Sequence, residues 1–247
     1  MCNANPVCCK TQSLKELCDL NLTIPNYQRP YEWKEEHVKH LLNDTYNAFV
    51  KKPNRSYLLG TIILHEIEDN EGKKNFNIVD GQQRLTTLDI LLFECKKNLN
   101  ENEPSEAKKN LNENEPSEAK KNLLLDQPFS QAISQYHIKK NQEIICNHLK
   151  DKTVKIFVDF LLNYVVFTVL TLPKSDSLDL AYTFFDSNNS KGLILSDFDL
   201  LKAHHLMFIP DQQEKLARTH NDFWQEQDEH HNHLFSKLLR RDRKSVV

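Results

Sequence analysis

Glycine is nearly missing from this chain, with four residues in 247. Neither G-x-x-x-x-G-K-S/T nor G-x-G-x-x-G occurs, which excludes a P-loop and a Rossmann fingerprint. The absence of H-E-x-x-H and G-x-S-x-G leaves zinc-peptidase and nucleophile-elbow hydrolase readings without support. The cysteines (Cys2, Cys8, Cys9, Cys18, Cys95, Cys146) show no C-x-x-C pair and no zinc-ligand spacing. With no secretory signal ahead of them, they read as reduced thiols of a cytoplasmic protein. Long apolar runs are lacking too. The best membrane candidate, Ile156–Leu172, is too short, carries Asp159 and Asn163, and stops at Pro173. A net charge of -3 gives no global attraction to nucleic acid. DNA contact would need a local basic patch, and Arg240-Arg241-Asp242-Arg243-Lys244 reads as a solvated tail.

What is present suits a soluble globular protein long enough for one or two domains with a sizeable core. The prolines of Ile24–Trp33 predict an extended segment. A helix follows, with Val38, Leu41, Leu42, Tyr46 and Phe49 on one face. Tyr57–Glu66 and Lys74–Val79 read as strands joined by a turn at Asp69–Gly72. A second helix is expected from the Asp80 turn to about Cys95. Residues 96–111 then recur verbatim as 108–123, a period of twelve reading KKNLNENEPSEA. Each unit is polar with a single Leu, so it reads as a duplicated, solvated insertion without chemistry. Helix is expected to about Lys155, with Ile133, Tyr136, Ile144, Ile145 and Leu149 apolar, and Val165–Leu172 as a buried strand. Asp176–Phe185 reads as helical, and Ser196 opens another helix. After Pro210 further helices are expected. The expected class is α+β: a small mixed sheet with helices, then a mostly helical C-terminal part. The expected divisions are an α+β core at 12–95, the insertion at 96–123, a completing segment at 124–209 and a helical segment at 210–247.

Three segments stand out as carriers of chemistry. In Asp80-Gly81-Gln82-Gln83-Arg84 a short strand meets a tight turn and a helix, a junction whose free N–H groups bind anions. A cation, two amides and a carboxylate share that turn. The competing reading is a capping box between Asp80 and Gln83, with Gly81 serving only the turn. In Tyr27-Gln28-Arg29-Pro30-Tyr31 the proline stiffens the backbone, so Arg29 could clamp a phosphate or stack on a base. Alternatively the aromatics simply pack on the core. In Asn188-Asn189-Ser190-Lys191-Gly192, amide, hydroxyl and ammonium donors between two helices suit phosphate or sugar recognition, or form a plain loop with a glycine cap. His231-Asn232-His233 and Asp228–His231 read as an exposed polar turn, because adjacent residues cannot build a ββα-metal site.

I-P-x-Y-Q-R-P-Y-x-W at 24–33, I-V-D-G-Q-Q-R-L-T-T-L at 78–88 and F-x-x-x-N-S-K-G-x-x-L-S at 185–196 together resemble the N-terminal domain family of GmrSD-type, modification-dependent restriction proteins. The resemblance spans about residues 12–240. It implies a ParB/sulfiredoxin-like fold whose relatives bind nucleotides at a strand–turn–helix junction. It further implies binding or hydrolysis of an NTP with Mg²⁺, coupled to defence against foreign DNA. Carried over by position, Asp80, Arg84 and Arg29 would be catalytic, with Asp80 also the metal ligand. Gly81, Gln82, Gln83, Gln28, Asn189 and Lys191 would bind the nucleotide. Family members often carry a C-terminal His-Asn-His nuclease domain, which these 247 residues do not include, so DNA cleavage by this polypeptide is not expected and a truncated or split version is. The leading reading is a nucleotide-binding, NTP-hydrolysing module of a restriction-type defence protein, with DNA as a further partner. Two alternatives stand beside it: a non-catalytic DNA-binding or regulatory subunit acting with a separate nuclease, and a degenerate, inactive fragment.

Overall fold

A computed structural model describes residues 7–68, 72–102, 124–125, 129, 131–149 and 154–174. The elements are β1 (Cys8–Ser13), α1 (Leu14–Cys18), β2 (Leu22–Thr23), α2 (Glu35–Lys51), β3 (Tyr57–Glu68), β4 (Lys74–Asp80), α3 (Gln82–Asn102), α4 (Ala132–His148), α5 (Val154–Tyr164) and β5 (Val165–Leu172). The α+β class holds. The expected turn at 69–71, most of the insertion, the segment at 188–192 and everything after residue 174 lie outside the described residues.

The strands form one mixed sheet in the order β1-β5-β3-β4-β2. The β3–β4 pair is antiparallel, as a hairpin requires, whereas β3–β5 and β2–β4 are parallel. One face of the sheet (Ile62, Leu64, Ile78, Phe167, Val169) packs against helical residues that include Leu85, Leu88 and Leu91 of α3. Alternation of side chains along a strand puts Ile63 and Val79 on the other face. Both are fully buried as well, so the sheet is covered on both sides at this end.

Four sequence expectations are corrected. Ile24–Trp33 is not extended throughout, because Gln28 N–H donates to Pro25 O at 3.0 Å and closes a turn. A proline restrains the residue before it, while Asn26 after it is free to turn. The helix expected to end near Cys95 runs on to Asn102. Leu99 of the first repeat unit packs against the core, and Asn98 Nδ2 donates to Leu149 O at 3.2 Å. The start of the duplication is therefore part of the fold. Val154–Tyr164 is a helix of its own, burying Val154, Phe157, Phe160 and Leu161 at helical spacing. Finally, β1, α1 and β2 precede the first expected element. Ser13 and Glu16 form a capping box at the start of α1, with Ser13 N–H to Glu16 Oε2 at 2.7 Å and Glu16 N–H to Ser13 Oγ at 3.2 Å.

Candidate functional site

The site lies where β4 ends and α3 begins. Gly81 takes φ = +98°, a left-handed conformation that side chains oppose, and a Cβ there would lie 2.2 Å from Ile62 Cδ1. Only glycine lets the chain turn this tightly over β3. Asp80 just before it and Arg84 on the first turn of α3 are consequently held over the same part of the sheet.

Arg84 reaches back across β3. Its Nη1 donates to Thr61 O at 3.1 Å, and a Cβ on Gly60 would stand 2.7 Å from that same nitrogen. Gly60 has φ = +141° where the β3–β5 register shifts, so the bulge makes the bed on which the guanidinium rests. Burial lowers the Arg84 pKa, and the charge of Asp80 offsets part of that effect. Burial likewise raises the carboxyl of Asp80, against the opposing pull of Gly81 N–H, Arg84 and Arg29. Asp80 therefore lies within electrostatic range of both arginines, which are 55 positions apart in the chain.

The neighbouring amides explain how Arg29 arrives there. Strand β2 pairs with β4 at Leu22–Thr23, and the chain then follows the same edge. Buried Gln28 donates Nε2 to Ile78 O at 2.9 Å and Val79 O at 2.7 Å. Gln83 grips the same segment from the helix side, accepting from Glu32 N–H at 2.9 Å and donating to Pro30 O at 2.8 Å. Arg29 is thus fixed by amide bonds to the backbone on either side of the junction. Tyr31 completes the clamp. Its hydroxyl lies 2.8 Å from Thr87 Oγ1 and accepts from Asn141 Nδ2 at 2.9 Å, and its burial pushes its pKa up to about 12.

These bonds decide between readings left open by the residues alone. Gln83 is occupied with Pro30 and Glu32, so the capping box with Asp80 does not form. Tyr27 and Tyr31 are core residues, so Arg29 has no aromatic partner from its own motif. Gln28 and Gln83 act as positioning groups, with their amide donors directed at backbone carbonyls. Gln82 is buried, yet its Oε1 finds no hydrogen-bond partner among the described residues, and the same is true of Thr86 Oγ1 four residues on. A spacing of four puts both orphaned oxygens on one face of α3. Asn189 and Lys191 lie outside the described residues. Gly60 and Thr61 are site residues the motifs did not reveal; a glycine inside an apolar strand was the available signal.

A helix start, two guanidinium groups and a half-buried carboxylate with a raised pKa thus share one junction. Residues 13–206 match the GmrSD restriction endonuclease N-terminal domain, and the chain belongs to that family. Membership points to a restriction-type defence protein that interacts with DNA. No curated protein matches the chain. No helix among the described residues is long and apolar enough to cross a membrane.

Proposed function

We propose that this domain binds a nucleoside triphosphate at the β4–α3 junction and hydrolyses it with Mg²⁺, as the nucleotide-dependent part of a restriction-type defence protein. The observation that carries this reading is that one half-buried carboxylate beside a helix N-terminus lies within electrostatic range of both Arg29 and Arg84. Phosphate oxygens would take the free N–H groups of the first turn of α3, with the two guanidinium groups neutralising their charge. Gly81 permits the turn itself, since a Cβ there would collide with Ile62 of the sheet.

Among the described residues there is no cluster of three or more His, Cys, Asp or Glu that could hold a metal ion. The donor set nonetheless suits Mg²⁺, which is bound through one or two carboxylates plus substrate phosphates and keeps several waters. Asp80 would be the protein's ligand. When bound, the ion would neutralise charge on the phosphates and relieve their repulsion from Asp80. In this arrangement Asp80 would position the ion or an attacking water, and Arg29 would neutralise the charge that develops on the phosphate.

Phosphate release measured across the four NTPs with Mg²⁺, with and without modified DNA, tests this directly. Turnover in the wild type, loss of affinity in Arg84→Ala, and loss of turnover more than binding in Asp80→Ala are the expected results. NTP affinity equal to the wild type in both variants would remove the proposed roles. One observation favours a second reading. Three of the five amides and arginines at the junction, Gln28, Gln83 and Arg84, bond to backbone. A rigid arginine pair of that kind also suits a non-catalytic DNA-binding subunit working with a separate nuclease. Steeply salt-dependent duplex binding without phosphate release would identify it.

A further inference from the structure

Next to Arg29, a cleft of about 380 Å³ opens between the start of α2 and the first turns of α4. One wall is flat and aromatic. Trp33 and His37 stack with ring centroids 5.8 Å apart and planes 21° from parallel. Asn141 Nδ2 donates to the Trp33 backbone carbonyl at 2.7 Å, and the His37 ring is fixed through Nδ1, which accepts from Lys34 N–H at 3.3 Å. The opposite wall is Ile133 and His137, four residues apart and so on one face of α4. His137 Nδ1 is shielded from solvent and has no hydrogen-bond partner among the described residues. An orphaned ring nitrogen of this kind is costly unless something in the cleft meets it.

The charges around the cleft restrict what that something can be. Arg29 and Lys34 are matched by Glu32 and Glu36, so the lining has no surplus charge for a bare anion or a metal ion. A purely apolar ligand would strip water from four charged groups and from His137 without replacing any bond. A flat, neutral heterocycle with donors and acceptors along its edge meets both demands, stacking on the aromatic wall while its edge faces the polar groups. The volume lies within the range of about 300–1,000 Å³ usual for small-ligand pockets.

We infer that this cleft is a nucleobase subsite, with Trp33 and His37 as its stacking wall and His137 and Glu36 facing the edge of the base. Arg29 lines the cleft and lies within electrostatic range of Asp80, so it joins the base subsite to the phosphate site at the β4–α3 junction. The inference rests on the nucleotide-binding reading for that connection. It adds a specificity element which that reading lacks. Burial, with Lys140 and Lys34 nearby, lowers the His137 pKa and favours a neutral ring able to meet a base edge. The base could belong to a free nucleotide or to a DNA strand, and the stacking chemistry is shared.

Equilibrium titrations of the full chain with each NTP, inorganic tripolyphosphate, and intact or abasic single-stranded oligonucleotides separate the cases. The variants are Trp33→Ala and Ile133→Trp. Ile133 is 44% exposed, so the second fills the cleft from its rim and remains decisive should the first fail to fold. Both should weaken NTP binding about 10- to 50-fold, as expected for losing one base–aromatic stack, and leave tripolyphosphate unchanged. If NTP binding is unaffected while intact oligonucleotides weaken and abasic ones do not, the base comes from DNA and the subsite stands. Equal affinities of wild type and variants for every base-containing probe would overturn it. Failure of the nucleotide reading looks different: tripolyphosphate would bind neither wild type nor Arg84→Ala, while oligonucleotides still responded to Trp33→Ala.

Discussion

Where α2 meets α5, the interior is built from rings. Phe49 lies 5.4 Å from Phe157 and 5.6 Å from Phe160, and Phe160 stacks on Tyr164 at 6.1 Å. At the first turn of α3 the interior is instead built from polar groups: Gln28, Gln82, Gln83, Thr86 and Thr87 are all buried, beside Asp80 and Arg84. The ring cluster gains from every atom it hides. The polar turn gains only where each group finds a partner, and two of its oxygens find none among the described residues. One region is thus optimised for stability. The other keeps charge and unused hydrogen-bonding capacity out of water, an arrangement typical of sites that bind something.

The contrast can be broken most sharply at Phe160, which is 1% exposed. Phe160→Ala should cost about 3–5 kcal/mol in chemical denaturation while leaving ligand affinity of the folded fraction intact. Gln83→Leu comes next. It strands Glu32 N–H and Pro30 C=O, so a loss of about 1–3 kcal/mol is expected, together with weaker nucleotide binding as Arg29 loses its clamp. A neutral result in both measurements would reduce Gln83 to a spectator.

The remaining substitutions should stabilise. Burial raises the Asp80 pKa, so the folded chain binds that proton more tightly than the unfolded chain. The cost of the charge is fully present at neutral pH. It is relieved as pH falls through the folded value toward the ordinary carboxylate range. Asp80→Asn should therefore be more stable than the wild type at pH 7, with the gain fading as pH falls into the ordinary carboxylate range, while activity is lost. A gain that persists unchanged in acid would show that the carboxylate's charge is not its cause. Thr86→Val removes an orphaned hydroxyl at constant shape and should be neutral or gain up to about 1 kcal/mol by thermal melting. A clear loss would mean that the hydroxyl has a partner in solution, such as a trapped water.

How much of this was legible depended on range. The strand–turn–helix at Asp80–Arg84 could be read because its parts are consecutive, and α2, β3, β4 and β5 because their apolar spacing is regular. The capping signature at Ser13 and Glu16 was legible too, but five helical residues are too few to stand out from periodicity. The fates of Gln82 and Gln83 were not readable. The letters are identical, and only the arrival of Pro30 and Glu32 about fifty positions away gives one amide two partners while the other keeps an orphaned oxygen. Gly60 likewise becomes a site residue through register, since its bulge matters only because Arg84 folds back onto it. The wall that His137 presents to Trp33 depends on a contact across more than one hundred residues. No local pattern can announce such a contact.

Asp89 carries a consequence for how this gene can vary. Its carboxylate accepts Leu124 N–H and Leu125 N–H, each at 2.7 Å, so the chain leaving the repeats is moored to the same helix that enters them. The second twelve-residue copy, 108–119, lies in the sequence between those two fixed points. Removing residues 108–119 should shift stability by no more than about 0.6 kcal/mol, the cost of roughly one doubling in loop length. Gain or loss of a twelve-residue unit at that position would then leave the machinery beside Asp80 as it is.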